Sequence, residues 1–270
     1  MEFLRKLLII LDADMTEPST FGWFHLMWIG IMILITVLLC RYCKEGTEKQ
    51  TNAILLTFAI ISILLEAYKQ INYTFTATDT GITADFQWYA FPWQFCCVPM
   101  YIALVAGFLK KGPFKDALCA FLATYSPFAG ICVFVYPEQV FIDTIGINIE
   151  TMVIHGGMIA VGIWLLYTNY VKSVHKTILK ATPVFCGVLA IAIILNEIAY
   201  YTGFTGGESF NMFYISSHEA STLPLFSLVQ PLVPFAVGLF IYIGIFMLAA
   251  YVMLLISMGI KALTQKLKKA

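Results

Sequence analysis

Seven stretches of the chain, near residues 20–40, 53–72, 87–109, 117–136, 152–171, 181–201 and 226–260, are long and apolar enough to cross a lipid bilayer. A helix rises about 1.5 Å per residue, so about 20 apolar residues cover the hydrocarbon core. No water reaches that core to satisfy a backbone N–H or carbonyl, so such segments are expected to be helical. Composition excludes a soluble alternative: 60% of residues are hydrophobic and 12% charged, against about 25% charged in soluble domains. The expected architecture is all-α, a polytopic membrane helical bundle with seven transmembrane helices. It forms one integral-membrane domain over residues 1–270, multi-pass, in the cell membrane.

Sixteen basic residues balance sixteen acidic ones, so bulk charge points to no nucleic-acid partner. Their distribution is informative, because cytoplasmic loops carry the excess of Lys and Arg. Arg41, Lys44 and Lys49 follow the first span, and Lys110, Lys111 and Lys115 the third. Lys172, Lys176 and Lys180 follow the fifth, and Lys261, Lys266, Lys268 and Lys269 the seventh. Thirteen of the sixteen therefore fall on one side, which predicts an N-terminus outside and a C-terminus in the cytoplasm.

The first residues, MEFLRKLLIILDAD, carry too short an apolar run for a signal peptide and end in Asp12 and Asp14. They read as a short amphipathic segment on the outer surface. The longest outer loop, from about 202 to 225, holds an aromatic patch from Phe210 to Tyr214. Most of the seven cysteines lie within predicted spans, as small apolar residues do. Cys40 and Cys43 form a lone CxxC without a second pair or a nearby histidine, so neither a metal nor a cofactor is expected. Asn72-Tyr73-Thr74 fits a glycosylation acceptor at the outer membrane boundary.

Polar side chains within the spans are costly and mark function by default. His25, Glu66, Lys69, Gln70, Gln94, Cys96, Cys97, His155, Asn196, Glu197 and Gln230 all fall in the outer half or near the midplane. The cytoplasmic halves read as nearly pure hydrocarbon. This bias predicts a polar cavity open to the outer side. Asn196 and Gln230 read as bonds between helices, His25 as a residue of the interfacial aromatic belt, and His175 and His218 as solvated. Glu66 and Lys69, three residues apart on one helical face, can neutralise each other.

FPWQFCCVPM, residues 91–100, concentrates these features. Pro99 lacks an N–H and is expected to kink the third helix, releasing the carbonyl of Phe95. A cysteine becomes a nucleophile when a neighbouring histidine takes its proton. His155, in IHGG, has two glycines beside it that leave room for close approach. Helix geometry does not choose between the cysteines, since Cys97 shares a face with Gln94 and Cys96 with Pro92 and Met100.

LLEAYKQI, then FPWQFC, then IHGG, then FNMFYI before a proline-rich last span resembles the YwaF and transmembrane protein 164 family. The resemblance covers about residues 60–235. That family is described as using a cysteine and a histidine for acyl transfer. It carries an acidic–basic pair late in helix two, here Glu66 and Lys69, and a proline–histidine/glutamine–cysteine motif in helix three, here Pro92, Gln94 and Cys96. A histidine in helix five and an asparagine–tyrosine motif before the last helix correspond to His155, Asn211 and Tyr214. Gln94 stands where a histidine is frequent, and QPLVPF replaces a Trp-rich proline motif.

The resemblance implies that Cys96 attacks a phospholipid ester with His155 as general base, and that a lysophospholipid hydroxyl or water then collects the acyl group. Gln94 would stabilise the oxyanion, and Glu66, Lys69, Gln70, Asn196, Glu197, Asn211 and Tyr214 would bind substrate or support the site. Membrane lipids are the implied partners. Two other classes compete: a solute or ion-coupled transporter relaying charge through Glu66, Lys69 and Glu197, and a non-enzymatic assembly protein. A retinal photoreceptor is excluded, because the last span lacks a lysine for a Schiff base.

Overall fold

The computed structural model describes residues 2–267. Six helices are long and apolar enough to cross a membrane: α2 (Trp23–Tyr42), α3 (Glu48–Thr74), α5 (Pro113–Val135), α6 (Ile145–Tyr167), α7 (Lys176–Thr202) and α9 (Phe235–Leu267). The chain is an all-α polytopic membrane bundle. Helix α1 (Glu2–Leu11) precedes it, and Tyr68 and Asn72 of α3 reach the α1 terminus by donating to the Leu11 carbonyl at 2.6 and 3.4 Å. Asn72 also donates to Asp12 at 3.1 Å, so the amide of the glycosylation-like triplet is already engaged.

The third expected span departs from a continuous helix. A 3₁₀ turn covers Trp88–Ala90, residues 91–97 run through consecutive turns, and only α4 (Val98–Phe108) is regular. Pro99 does not kink a helix; it sits in the first turn of one, where its missing N–H costs nothing. The last expected span is likewise divided. A single turn, α8 (Phe226–Val229), and a 3₁₀ turn at Gln230–Leu232 precede α9. Pro231 opens that turn, and Val233 is extended before Pro234, the conformation a following proline favours. A two-stranded hairpin, β1 (Phe75–Ala77) with β2 (Ile82–Ala84), pairs Phe75 with Ala84 and Thr76 with Thr83. It lies at what is hereafter the hairpin end; the opposite, basic end carries the lysine-rich loops.

Helix α5 runs through the centre, buried continuously from Leu118 to Pro127. Small residues let α6 approach it: a Cβ on Gly162 would lie 2.7 Å from the Pro127 ring, and one on Gly130 would lie 2.5 Å from the His155 carbonyl oxygen. An aromatic column of Phe121, Tyr125, Phe185, Tyr242 and Phe246 fills the space between α5, α7 and α9. At the helix ends, Thr47 caps α3 by accepting from the Gln50 N–H at 3.2 Å. Gly203 ends α7 in a left-handed conformation, φ +62°.

The basic end is not pure hydrocarbon. Lys115, in the first turn of α5, has no exposed side-chain surface. Its ammonium donates to Asn52 Oδ1 and, at 2.9 Å, to the Leu109 carbonyl; Glu48 lies 3.8 Å away. Nor is His25 a belt residue. It is fully buried, with Nδ1 accepting from the Phe21 N–H at 3.0 Å and Nε2 donating to the Phe134 carbonyl at 3.0 Å, so it staples α2 to α5.

Candidate functional site

The turns of residues 91–97 carry the cysteines, and almost every residue in them is pinned to a different element. Trp93 donates its indole N–H to the Val188 carbonyl of α7 at 3.3 Å and stacks on Tyr101, whose hydroxyl donates to Pro92 O at 3.0 Å. Phe95 inserts among Phe121, Phe185, Phe213 and Phe246, with ring centroids 5.1 to 6.3 Å away. Gln94 accepts from the Phe213 N–H at 2.9 Å and donates to the Asn211 carbonyl at 3.2 Å. An irregular backbone inside a bilayer protein survives only when buried protein satisfies it.

The 211–216 loop that meets Gln94 is itself clamped. Asn196 takes both backbone groups of Met212, accepting from its N–H at 2.7 Å and donating to its carbonyl at 3.0 Å. Asn211 Oδ1 accepts from the Ser216 N–H at 2.9 Å, and Tyr242 donates to the Phe213 carbonyl at 2.8 Å. Phe213 and Tyr214 are held at φ +58° and +54°. Left-handed conformations at such residues cost about 1–3 kcal/mol each and persist where the surroundings over-determine them, often beside active sites. Asn196 and Asn211 thus serve the loop backbone, and Gln94 spends its amide on the same task.

Between α3, α6 and the turns lies a buried polar cluster. Glu66 and Glu150 are each 4% exposed, so their carboxylates need partners inside the protein. Lys69 lies 2.8 Å from Glu66 and 3.8 Å from Glu150, and Gln70 donates to Glu66 at 2.9 Å and to the Ala90 carbonyl at 2.7 Å. The Cys97 thiol donates to Glu66 at 3.4 Å. Glu150 escapes sequence reading because the fifth span is expected from residue 152, whereas α6 begins at Ile145. The isoleucines at 145, 147 and 149 were the available signal for the earlier start.

The two cysteines separate here. Cys97 is 2% exposed, with its proton directed at a carboxylate. Cys96 is partly exposed and lies 3.9 Å from Cys97 sulfur to sulfur; His155 is its neighbour on α6, with no hydrogen bond joining the two side chains. His155 Nδ1 lies 2.7 Å from the Thr151 carbonyl, an acceptor, so that nitrogen carries the hydrogen and Nε2 keeps its lone pair. Among the described residues no acceptor meets the Cys96 backbone N–H. The arrangement holds a partly exposed cysteine, a base with one free nitrogen and an uncommitted backbone donor at the cysteine.

Glu197 is not part of this cluster. It points to the surface, accepting from Ser217 at 2.6 Å and facing His218 Nε2 at 3.0 Å, while His218 stacks on Tyr200. A charge relay joining Glu197 to Glu66 and Lys69 therefore has no geometric basis. His218 is thus partnered rather than freely solvated, as is His175, whose Nδ1 lies 2.6 Å from the Tyr251 hydroxyl. All seven cysteines are free thiols, and no group of three metal-ligating side chains occurs among the described residues.

The sequence model of the TMEM164 family matches residues 20–257. That range holds all six long helices apart from the last turns of α9, and every residue of the cluster. No curated protein and no solved structure matches the chain.

Proposed function

Because the chain belongs to the TMEM164 family, and because its cluster sets a partly exposed cysteine near an oriented histidine, we propose that it is an intramembrane cysteine acyltransferase acting on lipid esters. The observation that carries the reading is the pairing of partly exposed Cys96 with a His155 whose Nδ1 is tied to Thr151. His155 Nε2 takes the Cys96 thiol proton as the sulfur attacks the ester carbonyl carbon. The Cys96 N–H donates to the oxygen that gains charge. Collapse of the tetrahedral adduct forms the thioester and breaks the ester C–O bond, and His155 returns the proton to the departing lysophospholipid oxygen. A second lipid hydroxyl, or water, reverses the sequence and takes the acyl group. Cys97 and Glu66 fix the turn that carries Cys96, and Lys69 keeps the paired carboxylates buried.

The distribution of basic residues supports a site facing the outer leaflet of the cell membrane, with the hairpin end outside. The test is intact-mass and peptide mass spectrometry of purified protein after incubation with phosphatidylcholine carrying an isotopically labelled acyl chain. The expected result is one acyl adduct on Cys96, present in Cys97→Ala and lost in Cys96→Ala. An adduct that persists in Cys96→Ala, or the absence of any adduct from folded protein, overturns the reading.

A further inference from the structure

Cys96 and Cys97 are neighbours in sequence, yet regular secondary structure would keep their side chains apart. One step along a helix turns a side chain by about 100°, and adjacent positions do not face each other. One step along a strand sends it to the opposite face. Here a turn precedes the helix: the Cys97 N–H bonds to the Gln94 carbonyl, three residues back, at 2.9 Å, and α4 starts only at Val98. Across that turn the two sulfurs converge to 3.9 Å. Among the described residues no other two cysteines make such a contact, although all seven are free thiols. Cys96 is partly exposed, whereas Cys97 is 2% exposed and its thiol donates to Glu66 Oε2 at 3.4 Å. Acyl transfer through Cys96 gives the second sulfur no chemical role.

A partly exposed cysteine with a second sulfur against it has a defined response to a two-electron oxidant. A hydroperoxide gives one oxygen atom to the Cys96 sulfur, which is oxidised to the sulfenic acid while the hydroperoxide is reduced to an alcohol or water. The Cys97 sulfur then attacks the Cys96 sulfur. The S–S bond forms, the S–O bond breaks, and the Cys97 proton passes through Glu66 to the departing hydroxide, which leaves as water. We propose that Cys96 and Cys97 form a reversible vicinal disulfide, a modification that holds Cys96 in an unreactive form. Consecutive Cα atoms are about 3.8 Å apart, closer than the roughly 4.4–6.8 Å that a disulfide normally spans. The bridge is therefore strained, and strained disulfides are the labile, regulatory ones rather than the structural ones. A thiol reductant reopens it by exchange, becoming a disulfide itself and restoring both thiols. Because Cys97 loses the proton that it shares with Glu66, oxidation also releases the tie between the turn and α3. The modification rests on the sulfur geometry alone; its effect on acyl transfer rests on the proposed function.

The test exposes the full chain, purified and fully reduced, to hydrogen peroxide. Remaining thiols are then blocked with iodoacetamide, and peptides are mapped by mass spectrometry. The expected result is the loss of two hydrogens from the peptide that holds both cysteines, with neither of them alkylated. Dithiothreitol should restore both thiols. In Cys97→Ser, which keeps a hydroxyl donor for Glu66, Cys96 should instead gain two oxygens as the sulfinic acid, beyond rescue by dithiothreitol. Oxidised wild type given labelled phosphatidylcholine should form no adduct on Cys96, and reduction should bring the adduct back. Sulfinic acid on Cys96 of the wild type overturns the proposal, as does a pair still fully alkylated after prolonged exposure. Reversible oxidation in Cys97→Ser equal to that of the wild type also overturns it, since the second sulfur would then take no part. The wild-type mass change decides the matter even where Cys97→Ser does not fold. A disulfide in protein that forms no acyl adduct when reduced upholds the modification and overturns the proposed function instead.

Discussion

Each end of the bundle buries a lysine beside α3, and the difference lies in what is left over. At the basic end, the Lys115 ammonium is shared among Asn52, the Leu109 carbonyl and Glu48, and the Tyr170 ring lies 6.0 Å away. The ammonium is occupied in joining α3 to the start of α5, while the hydroxyl of the neighbouring Tyr170 is buried without a partner among the described residues. At the hairpin end, Lys69 is slightly exposed and its two carboxylates are buried, yet the same cluster leaves Cys96 partly exposed and one nitrogen of His155 uncommitted. A buried lysine whose bonds all run to structural partners holds elements together; a cluster that keeps a partly exposed cysteine and a free base in reserve has chemistry available. An enclosed lysine is present at both ends, so its burial alone does not distinguish a site from a joint.

The comparison breaks first at Cys96 and His155. His155→Ala should slow acyl-adduct formation by about 10²–10⁴-fold, the usual contribution of a positioned general base, and Cys96→Ala should reduce it to background. Both variants should retain native thermal stability in a detergent melt. Equal adduct yield in wild type and His155→Ala would place the base elsewhere.

Lys115→Met sharpens it from the other side. The change strands Asn52 Oδ1 and the Leu109 carbonyl, each worth about 1–3 kcal/mol when buried without a partner. Thermal denaturation should show a clear loss of stability, whereas adduct formation per folded molecule should stay at the wild-type rate.

Gln94→Ala should give an intermediate result, because Gln94 joins the cysteine turn to the strained loop. Its removal leaves the Phe213 N–H and the Asn211 carbonyl unpaired, again about 1–3 kcal/mol per buried group. It also frees Phe213 and Tyr214 to leave the left-handed region. Proteolysis near residues 211–216 should rise and the adduct rate should fall, with Gln94→Glu, which keeps only the acceptor, lying between wild type and alanine.

The smallest effect belongs to Glu197→Gln. Exposed ion pairs are worth about 0–1 kcal/mol, and Glu197 with His218 lies outside the cluster, so neither stability nor adduct rate should move measurably. A large loss of activity would mean that the surface group communicates with Cys96.

Much of this was legible along the chain. Apolar runs of bilayer length, and the exclusion of unsatisfied backbone from lipid, required a helical bundle. Depth along those runs brought Glu66, Lys69, Cys96 and His155 to one level without any knowledge of their neighbours. What stayed hidden depended on contacts between segments distant in sequence. Helical periodicity could not choose between Cys96 and Cys97, because the segment carrying them is not helical, and its course is set by Val188, Asn211, Phe213 and Glu66 from three other parts of the chain. Glu150 entered the cluster only once α6 was seen to start seven residues earlier than its hydropathy suggested. Glu197 left it because one step along a helix turns a side chain by about 100°, which sends Asn196 inward and Glu197 to the surface. The sequence by itself determined the solvent, the helical class and the approximate depth of most polar groups, since those follow from the cost of putting a given residue in hydrocarbon. Only the tertiary structure decided which polar groups face one another and which remain unpaired, because direction around a helix axis and the path of an irregular turn are fixed by the partners they pack against.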